Sequence, residues 1–424
     1  MFKNYLKIAW RNLWKNKGYT IINVGGLALG MAVTLIIGLW ILDELSYNSY
    51  FKNKDKIAQV FQSQTFNGET GTGPAIPRPL EKGLRDGYSD NFKHLIMCSW
   101  TNNHYLKYGD KSISRPGNYM QQVGPELFGL EIIKGEKDGL REINSIMLSE
   151  STANALFGNE DPIGKTVTVS NEHKLNVSSV YKDIPVNNSF NDTDFIIPWE
   201  KYLANNEWIR NAEDQWGNNS FQMFVQIADN TSFEKITNTI KDVKKNLNPD
   251  SSEFNPQLFL FPMEDWYLRS SFENGKQNGG RIKYVWLFGI IGAFVLLLAC
   301  INFMNLSTAR SEKRGKEVGI RKSIGSQRGQ LIYQFLSESF LVVLFAFFLA
   351  MLLVVLSLNG FNELSKKEIT FPWDNGIFWL ISLAFILFTS LLAGSYPALY
   401  LSSFKPVDVL KGTFKSGKYA GLPR

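Results

Sequence analysis

Four long apolar runs dominate the pattern of hydrophobic and polar positions along this 424-residue chain. They cover residues 19–42, 284–306, 331–358 and 377–401. Each is long enough to cross the hydrocarbon core of a bilayer, which takes roughly 20 residues of helix at about 1.5 Å per residue. Glu338 is the only charged residue within the four runs, so four long buried helices of a soluble protein are a poor alternative. The pattern predicts four transmembrane helices.

A different pattern fills the 239 residues from 43 to 281. Residues 166–170, TVTVS, alternate between polar and apolar side chains as a half-buried strand does. Thr231 and Glu234 form a T-x-x-E capping box, after which apolar residues recur at intervals of three and four up to Leu247, the pattern of one amphipathic helix. The fold class that follows is a membrane α-helical protein with a large α/β domain inserted between the first and second membrane helices. A domain of this size is expected to divide into two lobes.

The positive charge of the chain is concentrated in three segments. Residues 1–18 carry five Lys or Arg and no acidic residue, residues 307–330 carry seven against two, and residues 402–424 carry five against one. These segments sum to +14 in a chain of net charge +6, so the remainder carries −8. Because Lys and Arg near helix ends mark the cytoplasmic side, both termini are predicted inside and the 43–281 domain outside. The basic residues then indicate an inner membrane surface and not a nucleic-acid partner.

The first segment has a pattern of its own. Trp10 and Trp14 share an apolar helical face while lysines occupy the other faces, as in a helix that lies in the membrane interface. A plain extension of the first span is the alternative. The predicted order is a cytoplasmic amphipathic helix (1–18), transmembrane 1 (19–42), an extracytoplasmic domain (43–281), transmembrane 2 (284–306), a cytoplasmic loop (307–330), transmembrane 3 (331–358), a short outer loop (359–376), transmembrane 4 (377–401) and a cytoplasmic tail (402–424).

The sequence lacks the motifs of catalysis and of metal binding. GNEDPIGKT, residues 158–166, resembles a phosphate-binding loop but has five residues between its glycines where that loop has four. His94, Cys98 and His104 have no further ligands at the spacing that would complete a zinc site. No G-x-S-x-G, kinase or H-E-x-x-H motif is present. We therefore expect no enzyme activity and no directly bound cofactor or metal.

Polar and small residues within the runs are candidates for helix contacts. Glu338 lies about 10 Å from the cytoplasmic end of its span. Asn302 and Asn305 are at similar depth and are candidates to hydrogen-bond to it. The alternative is that Glu338 lies close enough to the membrane interface to be hydrated. Gly26 and Gly30 have the small-x-x-x-small spacing that lets another helix approach. Packing within one chain and a seam between two copies both remain open.

A short basic stretch, EVGIRKSIG, lies between the second and third runs. Glu317 and Arg321 are four residues apart and can pair on one face of a helix. Ile320 and Ile324 are four apart on another face and are suited to a groove on a partner. Gly325 can end the helix in a left-handed conformation. The alternative is an ordinary positive-inside loop, which needs cations but neither the isoleucines nor the glycine.

Together these features resemble the permease subunits of the MacB and FtsX type of ABC transporter. The order of spans and exported domain agrees, and the similarity extends over nearly the whole chain. The stretches that carry it are WRNLWKNKG (10–18), LSESTANALFGNEDPIGKTV (148–167), EVGIRKSIG (317–325), FLSESF (335–340) and SYPALYLSSFKPVDVLKG (395–412).

The resemblance implies a mechanism and partners. Such permeases sit in the bacterial inner membrane, pair there, and contact a separate cytoplasmic ATPase, which binds ATP and Mg²⁺, through the short helix between the second and third spans. The ATPase drives motion of the periplasmic domain for export or extraction of a peptide, a macrolide-like drug or a lipoprotein. The residues that correspond to this coupling helix are Glu317, Val318, Gly319, Ile320, Arg321, Lys322, Ile324 and Gly325.

Several alternatives remain open at this point. One is a regulator of an envelope enzyme, of the FtsX kind, and another is a membrane sensor or anchor with no ATPase. The resemblance also leaves open a periplasmic adaptor or outer-membrane factor. Some relatives of this type continue into a second copy of the arrangement, so the pair is formed either by two chains or by two halves of one longer chain.

Overall fold

The computed structural model of the protein describes residues 17–309 and 318–404. The helices are α1 (Lys17–Leu45), α2 (Pro79–Tyr88), α3 (Gly124–Phe128), α4 (Glu150–Phe157), α5 (Trp199–Asn205), α6 (Glu207–Arg210), α7 (Phe233–Ile240), α8 (Val243–Leu247), α9 (Ile282–Ala309), α10 (Arg328–Ser365) and α11 (Gly376–Ser402). The strands are β1 (Ile57–Phe66), β2 (Glu69–Gly73), β3 (Ile76–Pro77), β4 (Phe92–Cys98), β5 (Asn102–Tyr108), β6 (Lys111–Met120), β7 (Ile132–Gly135), β8 (Ser145–Ser149), β9 (Thr166–Val169), β10 (His173–Tyr181), β11 (Phe195–Pro198), β12 (Asn219–Ile227), β13 (Gln257–Pro262), β14 (Phe272–Glu273) and β15 (Lys276–Gln277). Residues 318–323 are also helical, and we call them the inter-span helix. The predicted amphipathic helix of residues 1–18 lies almost wholly outside the described residues.

Four helices, α1, α9, α10 and α11, are long and apolar enough to cross a membrane, and they coincide with the four apolar runs of the sequence. The chain divides into two units. One comprises residues 43–284, and the other comprises the segments before and after it. The 43–284 unit contains all fifteen strands of the described residues together with seven short helices. The predicted fold class, four membrane helices with a large α/β domain between the first and the second, is confirmed.

Helix α10 is longer than its apolar run. It has 38 residues and continues to Ser365, seven residues past the end of the run. At about 1.5 Å per residue it measures about 57 Å, well beyond a hydrocarbon core of about 30 Å. Lys366, with φ of 54°, ends the helix. Asn362 then holds the following loop, because its Oδ1 accepts the N–H of Ile369 at 3.1 Å and its Nδ2 donates to the Ile369 carbonyl at 2.9 Å.

All four membrane helices contribute to one buried apolar cluster. Small residues permit the closest approaches between them. A Cβ placed on Gly394 of α11 would lie 2.8 Å from the Ser339 Oγ of α10, which is closer than carbon and oxygen atoms can pack. Membrane helices gain little from the hydrophobic effect among themselves, so such close packing is a main source of their association.

The first lobe of the 43–284 unit is an antiparallel sheet with helices on one face. Its strands lie in the order β13-β1-β12-β4, and each neighbouring pair is antiparallel. Helix α2 connects β1 to β4, and α7 with α8 connects β12 to β13. This is the β-α-β-β-α-β arrangement of ferredoxin-like folds, with a large insertion between β4 and β12.

The second lobe is that insertion, and its core is a closed barrel of six strands. The strands pair around the ring in the order β5-β6-β11-β8-β10-β9, and β9 pairs back with β5. Alternate residues of the ring belong to one buried apolar cluster, which includes Leu106, Val167, Val177 and Phe195. A Cβ on Gly117 would lie 2.5 Å from the Phe195 ring, so side chains fill the barrel up to the backbone. Strand pairing joins the two lobes only between β4 and β6, where Cys98 pairs with Met120.

The helix predicted to run to Leu247 is two helices, α7 and α8. After α7 the Lys241 carbonyl accepts the N–H of Leu258 in β13 at 2.9 Å. A carbonyl engaged by a neighbouring strand is withdrawn from the helical ladder, so α8 begins as a separate helix. The prediction of Thr231 as N-cap was also wrong, because the Ser232 Oγ accepts the capping N–H at 3.3 Å.

The break between α7 and α8 places a lysine inside the domain. Lys244 is only 1% exposed. Its Nζ donates to Gln62 Oε1 of β1 at 2.7 Å and to Asn219 Oδ1 of β12 at 2.9 Å. Both partners are neutral amides, so no negative charge offsets the loss of water around the ammonium. Burial therefore lowers the pKa of Lys244 to about 8 from its ordinary value of 10.5.

The stability of this domain should depend on pH through Lys244. Between pH 8 and 10.5 the unfolded chain binds a proton that the folded chain does not, so the free energy of unfolding rises with pH across this window. The rise attributable to Lys244 should be on the order of 3 kcal/mol at about 1.4 kcal/mol per pKa unit. Urea unfolding of the 43–284 domain at several pH values measures it as the difference between wild type and Lys244→Met. Lys245→Met is the matched control and should keep the wild-type slope, and equal slopes for wild type and Lys244→Met would contradict the assignment.

Candidate functional site

The inter-span helix ends in a hydrogen-bond pattern that closes its last turn. The N–H of Gly325 donates to the Lys322 carbonyl at 3.0 Å, and the N–H of Ser326 donates to the Arg321 carbonyl at 3.0 Å. These two bonds form a Schellman motif, which needs a residue of positive φ at its centre. Gly325 occupies that position with φ of 101°. The turn therefore directs the chain out of the inter-span helix and towards α10.

One side of the inter-span helix is buried against the last two membrane helices. Val318 is 2% exposed and belongs to a small apolar cluster. The cluster also contains Leu331 and Phe335 of α10 and Ala398 and Leu401 of α11. This packing fixes the inter-span helix to the ends of two spans at once.

Two cations hold the same contact through hydrogen bonds. Lys322 Nζ donates to the carbonyl of Ser402 at 2.7 Å and to that of Phe404 at 2.9 Å. These carbonyls lie at the C-terminal end of α11, where helical carbonyls lack intrahelical partners and the helix dipole is negative. Arg321 Nη1 donates to Gln334 Oε1 of α10. The sequence indicated a role at the membrane surface for these cations, and the structure engages both with neighbouring helices.

The other side of the inter-span helix carries exposed apolar side chains. Ile320 is 50% exposed and Ile324 is 81% exposed. Ile324 directly follows the last helical residue, one turn after Ile320, while Gly319 is buried. Glu317, the predicted partner of Arg321, lies outside the described residues. The result is a small apolar surface on a helix whose position is fixed from behind.

The predicted polar residues of the spans fall into separate places. Glu338 is half-buried on α10, one turn after Gln334. Asn302 is directed towards α1, because its Nδ2 lies 3.5 Å from where a Gly26 Cβ would be. Asn305 is exposed on α9. The hydrogen bond from these amides to Glu338 stays a prediction.

Comparison with known protein families finds two models that match successive parts of the chain. A family model described as the MacB-like periplasmic core domain matches residues 20–243, which is more than half of the chain. A second model, described as the FtsX-like permease C-terminal region, matches residues 289–406. The chain belongs to the MacB/FtsX type of ABC transporter permease.

Individual relatives are distant from this permease. The ABC transporter permease YvrN of Bacillus subtilis is 22% identical over 423 residues, which cover 96% of the chain and 99% of YvrN. The macrolide export ATP-binding/permease protein MacB of Neisseria gonorrhoeae is 25% identical over 233 residues. That match covers 52% of the permease but only 32% of the Neisseria protein. The crystal structure of the periplasmic region of MacB from Actinobacillus actinomycetemcomitans aligns with a TM-score of 0.36 and 16% identity, covering 48% of the permease and 88% of the crystallised chain.

The small residues of the first span pack within the permease. A Cβ on Gly30 would lie 2.5 Å from the Ala299 Cβ of α9. Four residues on, Thr34 Oγ1 donates to the Gly292 carbonyl of α9 at 3.2 Å. The sequence left open a seam within one chain or between copies, and in the structure Gly30 serves the contact between α1 and α9.

The rejected motifs also have structural explanations. In the loop that resembled a phosphate-binding site, Glu160 pairs with Lys165 at 3.4 Å, and β9 follows where a phosphate site requires a helix. His94, Cys98 and His104 do not come together, and no group of three potential metal ligands occurs in the described parts of the chain. Cys98 is a buried free thiol whose pKa is raised by burial.

The contact between α1 and α9 should be sensitive to bulk at Gly30. We expect Gly30→Leu to destabilise the membrane unit by about 1–3 kcal/mol, the usual range for overpacking, because the new side chain meets Ala299. Thermal unfolding in detergent checks this. Gly38→Leu is the matched control, since Gly38 lies on the same helix with open space around its Cβ position. If Gly30→Leu is as stable as Gly38→Leu and instead loses self-association, the seam lies between copies.

Lys322 should determine the order of the end of α11. In Lys322→Met the two carbonyls lose their donor, and we expect hydrogen–deuterium exchange of residues 399–404 in the full-length chain to rise about tenfold, or roughly 1.4 kcal/mol. Lys322→Arg keeps a donor and should show a smaller increase. Arg328→Met is the control, because within the described residues Arg328 reaches this end through a long bond of 3.5 Å from its Nε to Ser402 Oγ. An equal effect in Arg328→Met would show that general loss of charge is responsible.

Proposed function

We propose that this permease passes motion driven by a separate ATPase subunit to its 43–284 domain, for export or extraction of a substrate such as a peptide, a macrolide-like drug or a lipoprotein. ATP and Mg²⁺ bind to the partner in this proposal, and the permease itself has no catalytic role. The observation that carries it is an exposed pair of isoleucines, Ile320 and Ile324, on a helix that Val318 and Lys322 hold firmly to two spans. A rigid support behind an apolar surface is what transmission of force from a docked partner requires.

The charge distribution gives the orientation in this proposal. The inter-span helix and both termini face the cytoplasm at the inner membrane, and the 43–284 domain lies outside, in the periplasm. The ATPase then approaches from the side on which ATP is found. The exposed isoleucines enter an apolar groove of the ATPase, and the surrounding cations keep the helix at the membrane surface.

The route of the motion follows from which helices each part is attached to. The inter-span helix is fixed to α10 and α11, whereas the 43–284 domain is continuous in sequence with α1 and α9. A displacement must therefore cross from one pair of helices to the other. The apolar cluster shared by all four helices provides that crossing.

We propose that the working unit is a pair of permeases or of permease halves. Helix α9 exposes large apolar side chains, including Trp286 at 70% and Leu298 at 64%. Lipid can cover these apolar side chains, and a second copy of the permease in the membrane can pack against them as well. Pairing would let two ATPase subunits act on one transport unit.

The ATPase contact should depend on the two isoleucines. In the double variant Ile320→Asp, Ile324→Asp we expect the amount of copurifying nucleotide-binding subunit per permease to fall at least tenfold below wild type. The reason is that two carboxylates cannot be buried in an apolar groove without a partner. Quantitative mass spectrometry of the purified complexes measures it. Leu364→Asp, at an equally exposed leucine on the far end of α10, is the control and should retain the subunit.

Two outcomes would overturn the proposal. One is wild-type permease that purifies from membranes without any nucleotide-binding subunit, which would favour a sensor or anchor. The other is the double variant retaining the ATPase at the wild-type ratio. A retained ATPase together with crosslinks from the 43–284 domain to a cell-wall hydrolase would instead favour the regulatory alternative.

A further inference from the structure

A buried carboxylate joins the two segments through which the chain enters and leaves the 43–284 domain. Glu44 lies in the last turn of α1, and its side chain is 1% exposed. The hydroxyl of Tyr267 donates to Glu44 Oε1 at 2.9 Å. Arg281, immediately before α9, places its Nε 3.6 Å from Glu44 Oε2. The start and the end of the domain thus meet at one charged group.

Aromatic contacts strengthen the same junction. The Arg281 guanidinium lies over the Tyr267 ring, 4.6 Å from its centroid. Tyr47 stacks on Tyr267, with ring centroids 3.7 Å apart and planes inclined by 4°. Glu44 accepts a hydrogen bond from a neutral donor and pairs with a cation, and that cation contacts both the carboxylate and a ring, so the groups depend on each other's presence. Removal of one member should loosen the others.

Asn48 connects this junction to both lobes of the domain. It is 1% exposed and has φ of 63°, a conformation that asparagine tolerates better than most residues. Its Nδ2 donates to the Met263 carbonyl at 3.1 Å, next to β13 of the first lobe. Its Oδ1 accepts the N–H of Ser189 at 2.7 Å, and its own N–H donates to the Asn187 carbonyl at 3.1 Å. Both of these lie in the inserted second lobe.

We propose that Glu44, Tyr267 and Arg281 form a clamp that makes the incoming and outgoing segments of the domain move as one joint. They are positioning residues, and Asn48 extends the joint to the two lobes. A displacement that arrives through either α1 or α9 then reaches the whole domain as a rigid movement. The source of that displacement rests on the proposed function, whereas the mechanical union of the two segments does not.

The union of the segments is tested first, in the full-length permease in lipid nanodiscs without any partner. Hydrogen–deuterium exchange is followed in peptides covering residues 43–51, 263–271 and 278–284. We expect Glu44→Gln to raise exchange about tenfold in all three peptides and Arg281→Met to do the same. The double variant should be no worse than either single variant, because the groups act as a unit.

Conservative variants separate the clamp from a general structural role. Arg281→Lys keeps a cation beside the carboxylate and over the ring, so we expect it to retain near wild-type protection. Tyr267→Phe removes one donor and keeps the ring, and should give an intermediate increase in all three peptides even if Glu44→Gln fails to fold. Glu264→Gln, which breaks a surface ion pair with Lys54, is the control and should change none of them. An increase confined to residues 43–51 in Glu44→Gln, or additive effects in the double variant, would overturn the clamp.

The role in transmission is tested in the complex with the copurifying ATPase, with and without ATP and vanadate. In wild type we expect the nucleotide to change exchange both in the inter-span helix and in the 43–284 domain. In Glu44→Gln the first change should remain and the second should fall at least fivefold. A full domain response in Glu44→Gln would overturn the transmitting role of the clamp. Absence of any response in wild type would overturn the proposed function, and the partner-free exchange experiment would still decide the clamp.

Discussion

Backbone carbonyls at the end of a helix need hydrogen-bond donors, and the ammonium group of Lys322 supplies two of them at the end of α11. Next to a membrane this requirement is strict, because hydrocarbon offers no water to replace a missing donor. The lysine comes from the inter-span helix, so satisfying α11 also fixes that helix in place. Val318 is thereby held among the ends of α10 and α11, and the isoleucines on the other side are left exposed. The candidate partner surface depends on this one interaction.

The same requirement shapes the other junctions of the molecule. Asn375 Oδ1 accepts the first free N–H groups of α11, and Asn362 holds both polar groups of Ile369 in the loop between α10 and α11. In the large domain, Asn48 and Glu44 perform comparable tasks with several partners each. Asn48 and Glu44 are buried, and buried polar groups lose much when their partners separate.

How well the sequence predicted the structure depended on the range of the interactions. The four spans are confirmed because a run of apolar residues and its helical hydrogen bonds are local properties. The single helix predicted up to Leu247 was wrong because the Lys241 carbonyl bonds to a strand seventeen residues later in the chain. The barrel was not predicted, since its closure requires β5 to pair with β9 and β6 to pair with β11 across long loops. Lys322 was predicted as a positive charge within the coupling helix and its bonds to α11 were not, because nothing near it in the sequence identifies the carbonyls of Ser402 and Phe404.

The sequence by itself determined the four membrane helices, the inserted α/β domain and the motifs that mark the permease family, because hydrophobicity and helix-ending residues act within a few neighbours. Only the tertiary structure decided which side of the inter-span helix is buried, that Gly30 contacts Ala299, and that Glu44 meets Tyr267 and Arg281. Those contacts join residues up to hundreds of positions apart. Their formation depends on the fold bringing matching shapes and charges together, which no local pattern records.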